Sequence, residues 1–238
     1  MLANIFKTVD RLLYLIYPKT CIFCNSILNY GDTECLCSEC VEKYKPISGN
    51  KCELCGRAIA VNNICGNCRS KKHYYDKCYC VYEYKDNVKS FIYAMKFSDI
   101  RQNCFYAAKQ MKLYADSNNI QKCDYVVPVP MFSVNRIIRG YNQAELIARS
   151  FSRLTHGRYK RALYKCKITK PQHKLKGKER LINLKDVFKV SGNIKDKTIL
   201  LIDDVFTTGS TVNECSRVLK KAGAKEVYVF CFCVVTDD

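Results

Sequence analysis

The chain is poor in the residues that punctuate or loosen a backbone, with only 5 prolines and 10 glycines among 238 positions. That scarcity excludes collagen-like, linker-dominated and low-complexity chains. Long apolar runs are missing as well. No stretch approaches the ~20 residues a bilayer span needs, and the apolar N-terminal segment is broken by Lys7, Asp10 and Arg11. There is no basic leader followed by a continuous apolar core and a small-residue cleavage site, so a cytoplasmic chain without a membrane span is expected. Acidic residues are few: 22 Asp and Glu stand against 40 Lys and Arg, a formal charge of +18. Two nucleotide signatures, G-x-x-x-x-G-K-[ST] and G-x-G-x-x-G, are absent.

What remains is a globular composition. Hydrophobic residues make up 48% of the chain, which excludes disorder despite 26% charged residues. The length suits one α/β domain with a small appendage. Leu2, Ile5, Phe6, Val9, Leu12, Leu13 and Ile16 recur at helical spacing ahead of Pro18. They predict an amphipathic helix that packs on its own protein.

Cysteine is abundant and unevenly placed. Of 17, nine lie between Cys21 and Cys68, and eight of these form C-x-x-C pairs: Cys21/Cys24, Cys37/Cys40, Cys52/Cys55 and Cys65/Cys68. An odd total and no secretory signal argue against a disulfide framework. Two thiolates three residues apart grip one side of a Zn²⁺ ion, and a second pair completes the tetrahedron. Eight ligands hold two structural Zn²⁺ ions, either as successive ribbons or cross-braced, with the first and third pairs sharing a metal. The regular spread over 48 residues suits zinc better than the compact spacing of an iron–sulfur cluster. Two Zn²⁺ ions on eight thiolates contribute −4, leaving about +14 in the loaded protein.

The pattern changes near Lys77. CYCVYEY alternates like a strand, residues 86–97 and 101–116 read as helices, and DYVVPVP reads as a buried strand. A helix over 142–154, the strand TILLID, a helix over 210–222 and a last apolar strand follow. Alternation of this kind predicts a mainly parallel sheet with helices on both faces. The expected division is a helix and double zinc ribbon over 1–75, then an α/β domain over 76–238.

The stretch 199–211 carries the most chemistry. A buried apolar strand ends in Asp203 and Asp204, and Thr207, Thr208, Gly209, Ser210 and Thr211 open a helix. Helix N-termini present amide groups and a partial positive charge to phosphate. Glycine admits close backbone approach, and the hydroxyls add donors. The acids are placed to accept hydrogen bonds from sugar hydroxyls. This segment resembles the ribose-phosphate loop of the type I phosphoribosyltransferases. The resemblance implies binding of 5-phosphoribosyl-1-pyrophosphate (PRPP) with Mg²⁺, Asp203 and Asp204 meeting the ribose hydroxyls and 207–211 cradling the 5′-phosphate.

Further along, Val127-Pro128-Val129-Pro130 precedes Arg136-x-x-Arg139-Gly140-Tyr141-Asn142-Gln143-Ala144, where Arg136, Arg139 and Gly140 form a candidate second anion site toward the pyrophosphate. With the cysteine pairs ahead and Gln172, Arg180, Asn183 and Phe188 behind, nearly the whole chain resembles the ComF (ComFC-like) family. That resemblance implies a competence protein handling single-stranded DNA during natural transformation, with the DNA-uptake machinery, such as a helicase, as partner.

Charge is concentrated. Residues 156–185 hold 11 Lys and Arg and one acid, more than half of the formal excess. Lys170, Gln172, Lys174, Lys176, Lys178, Arg180 and Asn183 are the candidates for a loop closing over PRPP or tracking a nucleic-acid backbone. Tyr159, Tyr164 and Phe188 are candidates to stack on bases. The alternative to a binding protein is an active phosphoribosyltransferase transferring the phosphoribosyl group to a nitrogen nucleophile; no catalytic base is identifiable.

Overall fold

A computed structural model describes residues 11–30, 35–97, 101–131, 140–166 and 187–236. Its frame is a four-stranded parallel sheet made of β1 (Lys77–Glu83), β2 (Tyr125–Pro128), β5 (Thr198–Phe206) and β6 (Glu226–Val234), in the order β1-β6-β5-β2. Between these strands run α3 (Asp86–Phe97), α4 (Gln102–Ser117), α5 (Gln143–Thr155) and α6 (Ser210–Lys221). Two short helices, α1 (Ser38–Lys43) and α2 (Gly66–Arg69), belong to the cysteine-rich part.

Both faces of β5 and β6 are buried, which is why these strands are almost continuously apolar. Leu200, Ile202, Phe230 and Phe232 face α4 and α5, whereas Ile199, Leu201, Val229 and Cys231 face α6. The sequence reading ended the penultimate strand at the first acid. The strand in fact runs through Asp203 and Asp204 to Phe206, pairing Asp203 with Cys231 and Val205 with Cys233. The two acids therefore sit within a strand, because buried Phe206 returns the chain to the core beyond them.

A hairpin was not foreseen. β3 (Leu163–Lys165) and β4 (Phe188–Val190) pair antiparallel, and the Cys166 amide donates to the Val187 carbonyl at 2.8 Å. Leu163, Val187 and Phe188 are buried on the α6 side of the sheet. Phe188 therefore belongs to the core and is unavailable for base stacking, contrary to expectation.

The cysteine-rich part is built into the sheet. Cys21, Phe23 and Leu28 of the first ribbon join the α4/α5 core, whereas Cys52, Cys55 and Cys68 of the second join the α6 core. Along the outer edge of β1, the Ile47 amide donates to Val81 O at 2.7 Å and the Cys78 amide to Glu53 O at 2.6 Å. The edge strand is thus tied down by the linker between ribbons and by the second knuckle. At the other edge, Val126 exchanges backbone hydrogen bonds with Arg158 and Lys160.

Of the N-terminal helix, residues 11–16 are described and helical. Leu12, Leu13 and Ile16 are 56%, 52% and 68% exposed, so the predicted apolar stripe does not pack on this chain at those positions. Tyr14 makes the contact instead, with its hydroxyl on the Leu28 carbonyl and its ring edge-on to Tyr30. No helix among the described residues is long and apolar enough to cross a membrane.

Gly56 carries the closest approach between ribbon and sheet. Its φ is +71°, and a Cβ there would lie 2.8 Å from the Cys80 amide nitrogen. Gly56→Ala is expected to destabilise the protein by at least ~2 kcal/mol, lowering Tm by several degrees. An unchanged melting curve would show that the second ribbon does not press on β1.

Candidate functional site

The two tetrads are settled by geometry. The Sγ atoms of Cys21, Cys24, Cys37 and Cys40 lie within 4.8 Å of one another, and so do those of Cys52, Cys55, Cys65 and Cys68. The successive arrangement holds, and the cross-braced alternative is excluded. Sulfur separations of 3.6 Å (Cys24 to Cys37) and 3.7 Å (Cys55 to Cys65) match the edge of a tetrahedron with metal–sulfur bonds of about 2.3 Å, about 3.8 Å. Zinc therefore fits both sites.

The ribbons share one local design. In each, the residue after the second cysteine takes a left-handed backbone, Asn25 at φ 62° and Gly56 at φ 71°. Its amide donates back to the first cysteine's carbonyl, at 2.9 and 2.8 Å respectively. In each, the third cysteine precedes the first residue of a short helix and the fourth lies within that helix.

The second constellation lies toward the carboxyl ends of the strands. Asp203, Asp204 and Thr211 line two adjoining cavities of about 250 and 180 Å³ together with Lys96. Tyr84, Phe206, Thr207, Gly209 and Val212 complete the first, and Val129, Pro130, Asn142 and Lys165 border the second. A larger cavity, about 810 Å³, lies elsewhere, among the C-terminal ends of α4 and α5. Its lining includes His156, Gly157 and Arg158 of the basic stretch and Leu200 of 199–211, but none of the candidate ligand residues.

The loop geometry suits an anion. Gly209, at φ +75°, precedes α6, and no side chain caps that helix. A Cβ on Gly209 would lie 2.5 Å from Phe206 Cζ, so only glycine fits over that ring. Thr208 Oγ1 and Ser210 Oγ are 2.9 Å apart, while Thr207 and Thr208 are exposed. Thr208 Oγ1 also accepts a long hydrogen bond, 3.4 Å, from the Ser210 amide at the start of α6, while Gly209 has no side chain with which to cap the helix.

Two lysines enter this groove that sequence reasoning missed. Lys96 Nζ is 3.0 Å from Asp204 Oδ2, with side chains 24% and 13% exposed. Lys165, from β3, lines the second cavity. Burial works against the Lys96 charge, but the Asp204 carboxylate more than offsets it and holds the ammonium above its ordinary value. Burial lowers Lys165. Lys96 closes α3, where a lysine ordinarily reads as a cation placed for the helix dipole. Lys165 sits beside a hairpin that local sequence did not announce.

Burial pushes the Asp203 carboxyl up to about 8, and the Asp204 charge adds to this, against the opposing pull of the Asp204 amide and Lys96. The Asp204 amide donates to Asp203 Oδ1 at 2.9 Å. Paired acids of this kind can hold one proton between them near neutrality, and can release it when a cation or a hydroxyl donor arrives.

The Arg139-Gly140 segment is described only from Gly140, whose φ is +75°; Arg136 and Arg139 lie outside the described residues. The following polar side chains latch neighbouring backbone. Tyr141 Oη donates to Met95 O at 2.6 Å, Gln143 Nε2 to the same oxygen at 3.3 Å, and Asn142 Nδ2 to Val129 O at 3.0 Å. Tyr141 and Gln143 fix the last turn of α3, and with it Lys96, while Asn142 holds the chain that leaves β2. Lys170, Gln172, Lys174, Lys176, Lys178, Arg180 and Asn183 also lie outside the described residues. Tyr164 is exposed; Tyr159 is half-buried beneath the Arg149 guanidinium, 4.5 Å from its ring centre.

The Asp203 shift has a signed consequence. A carboxyl whose folded pKa is raised binds a proton that the unfolded chain gives up, so its contribution falls as pH rises from about 4 to about 8. Asp203→Asn removes this dependence. Its Tm relative to wild type is expected to rise by about 8–16 °C between pH 5 and pH 8.5, read from paired thermal scans. A difference that stays flat over that range would refute the protonated carboxyl.

Comparison with known proteins covers both parts of the chain. A family model described as "Double zinc ribbon domain" matches residues 12–69, and one described as "Phosphoribosyl transferase domain" matches 124–237. Competence protein F of Haemophilus influenzae is 30% identical over 223 residues, covering 88% of this chain and 94% of that protein. DNA utilization protein YhgH of Escherichia coli K12 is 29% identical, covering 92% and 98%. Competence protein ComFC of Bacillus subtilis is 29% identical, covering 87% and 91%. With its two Cys₄ ribbons leading into a parallel phosphoribosyltransferase-type sheet, the chain belongs to the ComF family.

Proposed function

We propose that this protein serves natural competence by binding PRPP, or a related nucleotide with Mg²⁺, in the groove at Asp203, Asp204 and residues 207–211, and by handling incoming single-stranded DNA on the cytoplasmic side of the uptake machinery. The competence part follows the names of the relatives, two of which are competence proteins. The ligand part is carried by one observation: the acid pair and the glycine-led, uncapped start of α6 line one groove.

In this reading each group has a separate task. The α6 amides and the hydroxyls of 207–211 receive the 5′-phosphate. Asp203 and Asp204 accept hydrogen bonds from the ribose hydroxyls, which draws Asp204 away from Lys96. Lys96 and Lys165 meet the pyrophosphate, and Arg136, Arg139 and Gly140 are assigned to the same anion by the family resemblance. A divalent cation accompanying the pyrophosphate would add neutralising charge there, with Asp203 and Asp204 as the nearby acids. The two zinc sites take no part in chemistry; both are closed by four thiolates.

The concentration of positive charge in 156–185, a stretch whose Lys165 lines the groove, supports a nucleic-acid backbone as its partner. Nothing in it reads base edges, so binding is sequence-tolerant.

Calorimetric titration of PRPP with Mg²⁺ into zinc-loaded protein tests the first part. Wild type is expected to bind, and Asp203→Asn with Asp204→Asn to lose at least about tenfold in affinity while keeping its fold. Equal affinity in the double variant removes the sugar-contact assignment. For the second part, single-stranded DNA affinity is expected to fall steeply with salt, and the slope to shrink when Lys174, Lys176 and Lys178 are neutralised. Pyrophosphate release across a panel of bases and amines separates binding from turnover.

A further inference from the structure

We propose that Asn213 is a positioning residue through which the second ribbon holds the phosphate loop, so that closure of the Cys52, Cys55, Cys65 and Cys68 tetrad and occupancy of the groove are linked. The proposal rests on the reading of 207–211 as a phosphate cradle and adds what keeps that cradle in shape.

Asn213 is the fourth residue of α6, and its amide donates to Gly209 O at 2.9 Å. Its side chain does not turn back to cap the helix. It reaches across to the main chain that leaves the second ribbon. The Tyr74 amide donates to Asn213 Oδ1 at 2.8 Å, and Asn213 Nδ2 donates to Lys72 O at 3.0 Å. One carboxamide thus uses both its acceptor and its donor on a three-residue stretch, fixing the first turn of α6 in position and orientation. Asparagine is a mediocre helix former, so helix propensity does not account for it here.

The gripped stretch is itself bound to the ribbon. His73 Nε2 donates to Cys68 O at 3.1 Å, and its Nδ1 lies 2.9 Å from the Tyr75 hydroxyl. That hydroxyl donates to Leu54 O, between Cys52 and Cys55, at 2.6 Å. The Lys71 amide donates to Cys68 O at 3.1 Å. A continuous chain of hydrogen bonds therefore leads from a metal-ligating residue's carbonyl to Gly209. Small ribbons fold with their metal. When the second tetrad opens, residues 72–74 lose their anchor, and Asn213 loses the backbone it holds. Coupling between two sites is reciprocal, so a ligand in the groove must also retain the zinc.

Asn213→Ala in the full, zinc-loaded chain tests this with three measurements. It is expected to keep two zinc ions per chain and to bind PRPP about tenfold more weakly than wild type. Zinc release to a chromogenic chelator is expected to be biphasic, with PRPP slowing one phase in wild type and neither in the variant. Exchange of the 209–213 amides is expected to quicken at least about tenfold in Asn213→Ala without PRPP, while the later turns of α6 keep their rates. A Cys65→Ser variant is expected to lose affinity to a similar extent, with the double variant no weaker than Cys65→Ser alone. Wild-type affinity in zinc-replete Asn213→Ala, or loss of its zinc, overturns the proposal; the latter would make Asn213 a residue of the fold. Failure of wild type to bind PRPP defeats the phosphate reading alone. In that case unchanged exchange at 209–213 overturns the clamp, and quickened exchange confined to that turn supports it.

Discussion

Four sulfurs around one metal ion are the constraint on which the architecture rests. The residues of the two ribbons are too few to bury a core of their own, and short knuckles hold shape only when their cysteines share a metal. Here the consequence reaches beyond the ribbons, because their apolar side chains complete both faces of the sheet. Phe23 packs edge-on against Tyr82 and Phe91, at 5.5 and 5.7 Å between ring centres, linking the first tetrad to β1 and α3. The second tetrad presses Gly56 onto Cys80 and holds Tyr75 through Leu54. Coordination chemistry thus supplies part of the core that a chain of this size would otherwise build from aliphatic residues.

The groove shows a different balance. Placing Asp203 and Asp204 side by side within a strand is unfavourable on its own, since desolvation and mutual repulsion act together. Lys96 relieves one acid and a retained proton relieves the other. The acid pair is therefore largely neutralised from within the site. The Tyr141 and Gln143 contacts, which tether the end of α3, keep Lys96 within reach of Asp204.

Much of this was legible in sequence because each signal was local. Four C-x-x-C pairs declare metal knuckles, and strand–Asp-Asp–Thr-Thr-Gly-Ser-Thr declares a strand, an acidic step and a helix start in thirteen residues. What escaped depends on contacts distant along the chain. The partners of the hairpin, Leu163 to Lys165 and Phe188 to Val190, are three-residue strands separated by a basic run with no turn signature joining them. Neither Lys96 nor Asn213 belongs to a local motif. Their roles come from Asp204, 108 positions later, and from Lys72 and Tyr74, about 140 positions earlier. The apolar spacing of Leu12, Leu13 and Ile16 was read correctly as helix, but periodicity does not say which surface such a stripe meets.

The two covered margins of the sheet have one more consequence. Parallel strands as apolar as β5 and β6 are hazardous when the outermost strand beside them presents bare amides and carbonyls, because a second molecule can add its own strand and start a fibre. Here the linker at Ile47 and the knuckle at Glu53 occupy one margin, and Arg158 with Lys160 occupies the other. Self-association by strand addition is blocked while the second ribbon is intact. Opening of the second ribbon would therefore uncover an adhesive border, making zinc starvation a route to aggregation.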